Sequence, residues 1–372
     1  MPSKLLKGAA LTRQTAERVV QRLALKERQL YSQFDARRSA FFKSYWGNIA
    51  KTVGAQIDDI GYEFFRLKRN NLTTYVQHGQ VMIDDHLTLS LAGNKPLVHK
   101  LLVEQGYTVP SYLEYGLDEI PKAWQFMQQQ QSTNFVVKPA KGGSGGRGIT
   151  TKIDSKPRLT QSSYKAAIFS SNNKLIIEEE LPGDNYRLLY LDGEYIDALR
   201  RESPTVSGDG NSSIKTLIDK ENKARLQSTQ TLALSPLTLD LDSLFTLSDQ
   251  GISSKSVPEK GHRVTVKTAT NQYSKHENHS VKDEIHTSII DYGRKISKAI
   301  NVRLSGVDLM IIDHKAPLEK SGCVVNEINT TPGLHHHALV SDTNHELAVG
   351  PVIIDYIFDQ MQTQARSYNN KH

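Results

Sequence analysis

Apolar residues near the start of the chain recur at helical spacing. Ala16, Val19, Val20, Leu23, Leu30 and Phe34 form one stripe, and Arg13, Arg18, Arg22, Lys26 and Arg28 lie mostly elsewhere on the wheel. This predicts a basic amphipathic helix. The first ninety residues otherwise mix helix with short strands. A turn at Ala92-Gly93-Asn94 precedes a helix starting near Pro96, since proline suits a first helical turn, and Gly106 closes it. From residue 135 the pattern predicts a strand at 135–138, a glycine loop at 140–148, a strand at 149–153, a helix around 161–171 and a strand at 175–180. Pro182-Gly183 turns the chain into a hairpin, 186–191 with 194–200, around Asp192-Gly193, a dipeptide suited to tight primed turns. Residues 203–280 are polar and read as loops that order around a ligand, with a helix at 213–224. A helix at about 281–300 leads into strands at 307–313 and 323–328.

Composition narrows the class. The 372 residues suit two or three lobes, and no run approaches the ~18 uncharged apolar residues of a membrane span. A net charge of +6 invites a nucleic-acid reading, but residues 1–43 hold ten basic residues against three acidic ones, and the rest of the chain holds 36 against 37. The body of the protein is therefore no basic surface, and nucleic acid is not expected as a partner. The lone Cys323 cannot form an internal disulfide and reads as a small buried thiol. The cytoplasm is the expected compartment.

Three stretches carry candidate chemistry. In FVVKPAKGGSGGRGI, residues 135–149, the glycines satisfy GxGxxG, but they lead into a strand and not a helix, which excludes a dinucleotide fingerprint. No GK followed by Ser or Thr is present for a Walker A loop. A glycine loop between two strands makes a flap whose N–H groups can cover phosphates, with Lys138 just upstream; Lys141, Gly143, Ser144, Gly145 and Gly146 are the candidate contacts.

The second stretch is the strand pair at 307–313 and 323–328. Symmetric closure of the loop between them sets Asp308 opposite Glu327, a repulsive arrangement at a Cβ separation of about 5 Å unless a cation intervenes. Asn329 shares the face of Glu327 and offers an amide oxygen. Together with ATP phosphates these make a hard oxygen set suited to Mg²⁺. The triplet His335-His336-His337 lacks zinc spacing and, read as extended chain, points to alternate sides; a substrate-side loop is its stronger functional reading. The third stretch is Glu178-Glu179-Glu180-Leu181, where an apolar strand meets acids and a turn and can offer backbone groups to an adenine.

The order of these elements resembles the ATP-grasp superfamily of carboxylate-amine ligases, in particular the nucleotide-binding region of cyanophycin synthetase and its glutathione synthetase relatives. The similarity spans about residues 91–339 and rests on VVKPAKGGSGGRG, EEELPGDNYRLL, GDGNSSIKTLID, SGVDL and NEINTTPGL. The resemblance implies an α/β fold with α+β lobes: a basic segment at 1–43, a small preceding domain at 44–92, an ATP-grasp domain at 93–345 with a flap lobe at 135–200 and a catalytic lobe at 201–345, and a C-terminal helix and tail at 346–372. It implies that Lys95 and Lys138 hold the ATP phosphates and that residues 178–181 form the adenine hinge. It also implies that Asp184 or Asn185 reaches the ribose, that Asp308, Glu327 and Asn329 carry two Mg²⁺ ions, with Mn²⁺ as a substitute, and that Arg187, Arg201, Lys267 and Asn271 act on the transferred phosphoryl group or the acyl phosphate.

The implied activity is amide-bond formation between a carboxylate and an amine, amino acids or short peptides, with ADP and phosphate as products. A small-molecule kinase or a nucleotide sensor would use the same parts. Dimers are common among such relatives. A chain of 372 residues leaves no room for the Mur-ligase-like half of cyanophycin synthetase, so alternating polymerisation is not expected.

Overall fold

A computed structural model describes residues 13–228, 234–270, 277–330, 332–341 and 347–369. The basic stripe folds into one helix, α1 (Arg13–Thr52), which runs past residue 43 for a length of about 60 Å at 1.5 Å per residue. It continues because the apolar spacing continues: Val20, Ala24 and Phe34 are buried, and so are Phe41, Phe42, Tyr45, Trp46, Ile49 and Ala50. An antiparallel sheet in sequential order follows: β1 (Gln56–Gly61), β2 (Phe64–Arg69), β3 (Leu72–Gln77) and β4 (Gln80–Val81). Helices α2 (His86–Ala92) and α3 (Lys95–Glu104) come next; Asn94 caps α3 through its side-chain oxygen, with Pro96 in the first turn as predicted.

The second sheet has the order β5-β8-β6-β7. Its parts in chain order are β5 (Tyr112–Tyr115), α4 (Ile120–Gln129), β6 (Phe135–Pro139), β7 (Thr150–Ile153), α5 (Lys156–Phe169) and β8 (Leu175–Glu179). The chain then enters the largest sheet through the hairpin β9 (Asp184–Leu191) and β10 (Glu194–Arg201), where Asp192 and Gly193 both take positive φ, as a primed turn requires.

The polar stretch after β10 is more ordered than its composition suggests. It forms β11 (Thr205–Ser207), α6 (Ile214–Gln227), α7 (Leu241–Asp249) and β12 (Arg263–Thr265). These enclose a core of their own from Val206, Ile214, Leu217, Ile218, Leu237, Leu247, Val264 and Val266. The apolar residues are too widely spaced along the chain for a local periodicity, so the loop reading fails there. β13 (Asn278–Ser280), α8 (Thr287–Ala299), β14 (Leu304–Ile311) and β15 (Val324–Asn329) complete the five-stranded sheet in the order β13-β10-β9-β14-β15, and α9 (Leu334–Ala338) and α10 (Gly350–Asn369) end the described chain. No helix among the described residues is long and apolar enough to cross a membrane.

The two faces of this sheet explain where a site can form. On one, Tyr186, Leu188 and Tyr190 of β9 pack with Val307, Leu309 and Ile311 of β14 under Ile289 and Ile296 of α8. The other face changes character along each strand. Leu189, Leu191 and Leu304 lie under Trp46 and Ile49 of α1 and Ile353 of α10, whereas the same-face positions farther along, Arg187, Asn185 and Asp308, line an open cavity.

Register on that face is set by a bulge. Near the loop Leu309 pairs with Val325 and Met310 with Val324; an extra residue at Asn326 then shifts the ladder, so that Asp308 faces Glu327, Val307 faces Ile328 and Gly306 faces Asn329. The Asp308–Glu327 pairing expected from symmetric closure is present, but through the bulge, because the loop end of the ladder is offset by one residue. Cys323 lies just before β15 and is partly exposed; burial of its sulfur still pushes the thiol up to about 12.

Gly293 of α8 tests the packing of the covered face. A Cβ there would stand 2.4 Å from the Tyr190 hydroxyl, which donates to the Ile290 carbonyl. Gly293→Ala is therefore expected to destabilise the protein by about 1–3 kcal/mol through overpacking, despite the ~1 kcal/mol helix-propensity gain. Urea unfolding reads the result, and an unchanged or higher midpoint would refute the packing described.

Candidate active site

The cavity of about 990 Å³ between the second sheet and the largest one contains most of the residues singled out from the sequence. Its volume lies at the upper end for ligand sites, enough for a nucleotide and a further molecule. Lys138 on β6 and Glu178 on β8 form a buried ion pair on its wall. Burial by itself would depress the Lys138 ammonium, but Glu178, Glu327 and Asp308 outweigh it and raise its pKa above the ordinary lysine value. Lys138 therefore presents a fixed positive charge.

On the sheet face, Asp308 is held by two guanidinium groups. Arg187, its direct neighbour on β9, donates from Nε to Oδ1 at 2.7 Å and from Nη2 to Oδ2 at 2.8 Å, and Arg201 of β10 donates to Oδ2 at 2.7 Å. All three side chains are buried. Desolvation opposes ionisation of Asp308, yet the two cations win and keep its pKa below the usual carboxylate range. Arg201 is pushed down to about 10 by burial and by the neighbouring Arg187. Opposite Asp308, Glu327 is likewise held low, Lys95 and Lys138 overcoming its burial, with Lys95 Nζ at 3.2 Å from Oε1. α3 supplies that contact. His99, one turn after Lys95, donates from Nε2 to the Asn326 carbonyl at 3.3 Å and so ties the helix to the bulge.

The carboxylate pair is thus offset by Arg187, Arg201 and Lys95, where the sequence suggested only a metal. The residues still fit Mg²⁺. Asp308 Oδ1 accepts a single hydrogen bond and keeps a lone pair that a cation can use. No group of three or more His, Cys, Asp or Glu placed to hold a metal exists among the described residues, so phosphate oxygens would have to complete any shell.

The glycine loop borders the same cavity through Gly142, Gly143, Gly145 and Gly146. Its path needs glycine: Gly143 has φ +68, and a Cβ there would come within 2.5 Å of the Arg147 carbonyl. Arg147 lies over the ring of Tyr31 on α1 at 6.0 Å, so the long helix touches the flap. Glu179, Glu180, Leu181, Asp184 and Asn185 line the cavity as well. Glu180 accepts from the Lys152 amide at 3.1 Å, and its pKa is raised by burial despite Lys152. Asn185 accepts from Arg201 Nε at 2.8 Å, so its oxygen orients a guanidinium. Asp184 is exposed, with Arg200 at 3.7 Å.

Two of the expected contacts, Lys267 and Lys141, are not among the residues that line this cavity. Lys267 points to a separate buried cluster, with Nζ 2.8 Å from Asp240 Oδ2 and 3.1 Å from Thr238 Oγ1. Lys165 joins the same Asp240 oxygen at 2.8 Å, and the two lysines hold that carboxylate below its usual range against the pull of burial. Asn271 and the side chain of Ser144 lie outside the described residues. The histidine triplet is not extended chain but the buried helix α9: His337 Nδ1 lies 2.7 Å from Asp197 Oδ2, while His335 and His336 border the cavity. Sequence reasoning missed Asp35, Arg38, Glu63 and His78, which line the cavity from α1 and the first sheet. They sit in no motif, and only the tertiary packing gathers them.

No protein-family model matches the chain. It aligns over 84% of its length with the crystal structure of a bifunctional glutathione synthetase from Pasteurella multocida, at a TM-score of 0.51 and 22% identity, covering 44% of that chain. The chain has the ATP-grasp fold. By sequence the chain is similar to the glutathione biosynthesis bifunctional protein GshAB of Streptococcus mutans, 27% identical over 326 residues, 85% of this chain and 42% of that protein. It is also similar to the cyanophycin synthetase of Geminocystis herdmanii, 28% identical over 274 residues, 73% of this chain and 31% of that one. The chain spans less than half the length of these curated relatives.

The lowered pKa values of Asp308 and Glu327 make a prediction about acid stability. Because each folded-state pKa lies below its unfolded value, the stabilisation is present above the ordinary carboxylate range, near pH 4, and is lost as pH falls through the folded values. Asp308→Asn should cost about 3–5 kcal/mol near neutrality, since it leaves two buried guanidinium groups without their carboxylate, and should flatten the acid limb. Urea titrations between about pH 3 and 7 measure both, and an acid limb as steep as the wild type's would contradict the assignment.

Proposed function

We propose that the chain is an ATP-dependent ligase that joins a carboxylate to an amine through an acyl phosphate, releasing ADP and phosphate, with amino acids or short peptides as substrates. The observation that carries this reading is the juxtaposition, in one cavity beneath a glycine loop, of the Asp308–Glu327–Asn329 oxygen row with the ammonium groups of Lys95 and Lys138. Similarity to a glutathione biosynthesis protein and to a cyanophycin synthetase supports it.

In this account ATP lies along β6 and β8. Lys138 and Lys95 meet its phosphates, the glycine loop covers them with backbone N–H groups, and residues 178–181 border the base. Mg²⁺ bound at Asp308, Glu327 and Asn329 would supply the positive charge that offsets the transferring phosphoryl group. Arg187 and Arg201 keep Asp308 ionised and in place. A carboxylate oxygen of the substrate attacks the γ-phosphorus as the bond to ADP breaks. The amine nitrogen then attacks the acyl carbon, phosphate leaves with the bonding pair, and the amine gives up a proton. Exclusion of water by the flap protects the acyl phosphate from hydrolysis.

Mg²⁺-dependent ADP release, screened over pairs of amino acids and small acids with mass spectrometry of products, tests the reading. ADP and an amide arising only with a matched pair is the expected outcome; a stable phosphorylated product, or ATP binding without turnover under every pair, would reject it. Glu327→Gln is expected to lower turnover by at least a hundredfold while leaving the folded circular-dichroism spectrum intact, and full activity would remove Glu327 from the metal set. Lys138→Ala should weaken ATP binding about tenfold or more, equivalent to ~1.4 kcal/mol. Unchanged nucleotide affinity by calorimetry would remove the phosphate role of Lys138.

A further inference from the structure

Beyond the phosphate and metal positions, the cavity runs into a chamber walled by α1, the hairpin of the first sheet and α9, and its polar groups are arranged around one ring. Phe42 of α1 is 1% exposed. The Arg38 guanidinium carbon lies 5.9 Å from its centroid, the His78 ring 5.4 Å and the His335 ring 5.3 Å. His336 lies against His335 at 4.5 Å between centroids, continuing the row towards Arg187 and Arg201. The row is closely fitted: a Cβ on Gly333 would come within 2.5 Å of the His336 ring and 2.7 Å of the His335 ring. Glu63 meets the imidazole of His78 at 2.7 Å and accepts from the Ser39 hydroxyl.

The charges in this row differ in their commitments. Arg187, Arg201, Lys95 and Lys138 each pair with a carboxylate of the site. Among the described residues Arg38 makes no hydrogen bond and no ion pair within 4 Å, although the Asp35 and Glu63 carboxylates attract it from farther off; it rests on the Phe42 ring at the cavity surface. Burial, reinforced by Arg38 and Arg187 for His335 and by His335 and Arg187 for His336, holds both imidazoles well below the usual histidine range, so they are neutral near pH 7. His336 Nδ1 is buried without a hydrogen-bond partner, in a residue 8% exposed that borders the cavity. A buried polar atom of this kind calls for a ligand group.

Resting on the ligase reading, we propose that this chamber is the recognition subsite for a second carboxylate of the acid substrate, one that is not transformed: Arg38 binds it, and His335 and His336 line the path from it to the reacting carboxylate. Arg38 is a positioning and specificity residue in this scheme. A planar guanidinium backed by an aromatic ring suits bidentate carboxylate recognition, and neutral imidazoles add hydrogen bonds without a competing charge. The substrate class is therefore a dicarboxylic amino acid or a peptide that carries a side-chain carboxylate besides its free C-terminal one.

The test uses the full chain with Mg²⁺ and a non-hydrolysable ATP analogue, titrated calorimetrically with matched probes: glutamate against glutamine, and short peptides of this kind with free against amidated C-termini. The free acids should bind at least tenfold tighter than their amides; Arg38→Ala should erase that preference without changing nucleotide affinity, and Arg38→Lys should restore part of it. Retention of the preference in Arg38→Ala, or no binding by any acid of the panel, overturns the proposal. ADP release measured in parallel separates it from its premise. Arg38-dependent acid binding with no turnover for any amine rejects the ligase and keeps the subsite, whereas turnover with a wild-type KM in Arg38→Ala rejects the subsite and keeps the ligase.

Discussion

The clamp of Arg187 and Arg201 on Asp308 is the interaction on which the rest of this site depends. It joins three adjacent strands of the largest sheet through buried charges, and buried charges are tolerable only when paired with good geometry. Bidentate contact from Arg187 and a further hydrogen bond from Arg201 meet that condition. Asn185 then fixes Arg201, and Lys95 balances Glu327 across the ladder. Removing one member leaves the others with uncompensated charge, so the face is rigid for electrostatic reasons as much as for packing ones.

Location follows from the uneven covering of one sheet face. Where β9 and β14 present leucines, α1 and α10 close over them; where the same strands present Arg187, Asn185 and Asp308, the cover stops and the cavity opens. α1 serves both regions. Its last turns seal the core with Phe42, Trp46 and Ile49, and the turns before them bring Asp35 and Arg38 to the cavity wall and Tyr31 to the flap. One helix thus touches the glycine loop and the far chamber.

Much of this was legible in the sequence because the informative features are local. The glycine flap, the hairpin at Asp192-Gly193 and the cap of α3 each follow from backbone restrictions on neighbouring residues. Asp308 opposite Glu327 followed from loop closure, although a bulge at Asn326, which no residue type announces, produces the pairing. What was not legible is non-local. The core of residues 206–266 is assembled from scattered positions, Lys267 pairs with Asp240 across 27 residues of chain, and the histidines form a helix too short to leave a periodic signal. Arg38 and His78 meet at Phe42 only after α1 and the first sheet have packed together.

The central claim is that a carboxylate is phosphorylated before it is joined to an amine, and oxygen-18 transfer tests it most directly. With both carboxylate oxygens of the acid substrate labelled, turnover through an acyl phosphate places one labelled oxygen in the released phosphate and leaves ADP unlabelled. Label appearing in AMP, or phosphate released without label while amide forms, would contradict the account.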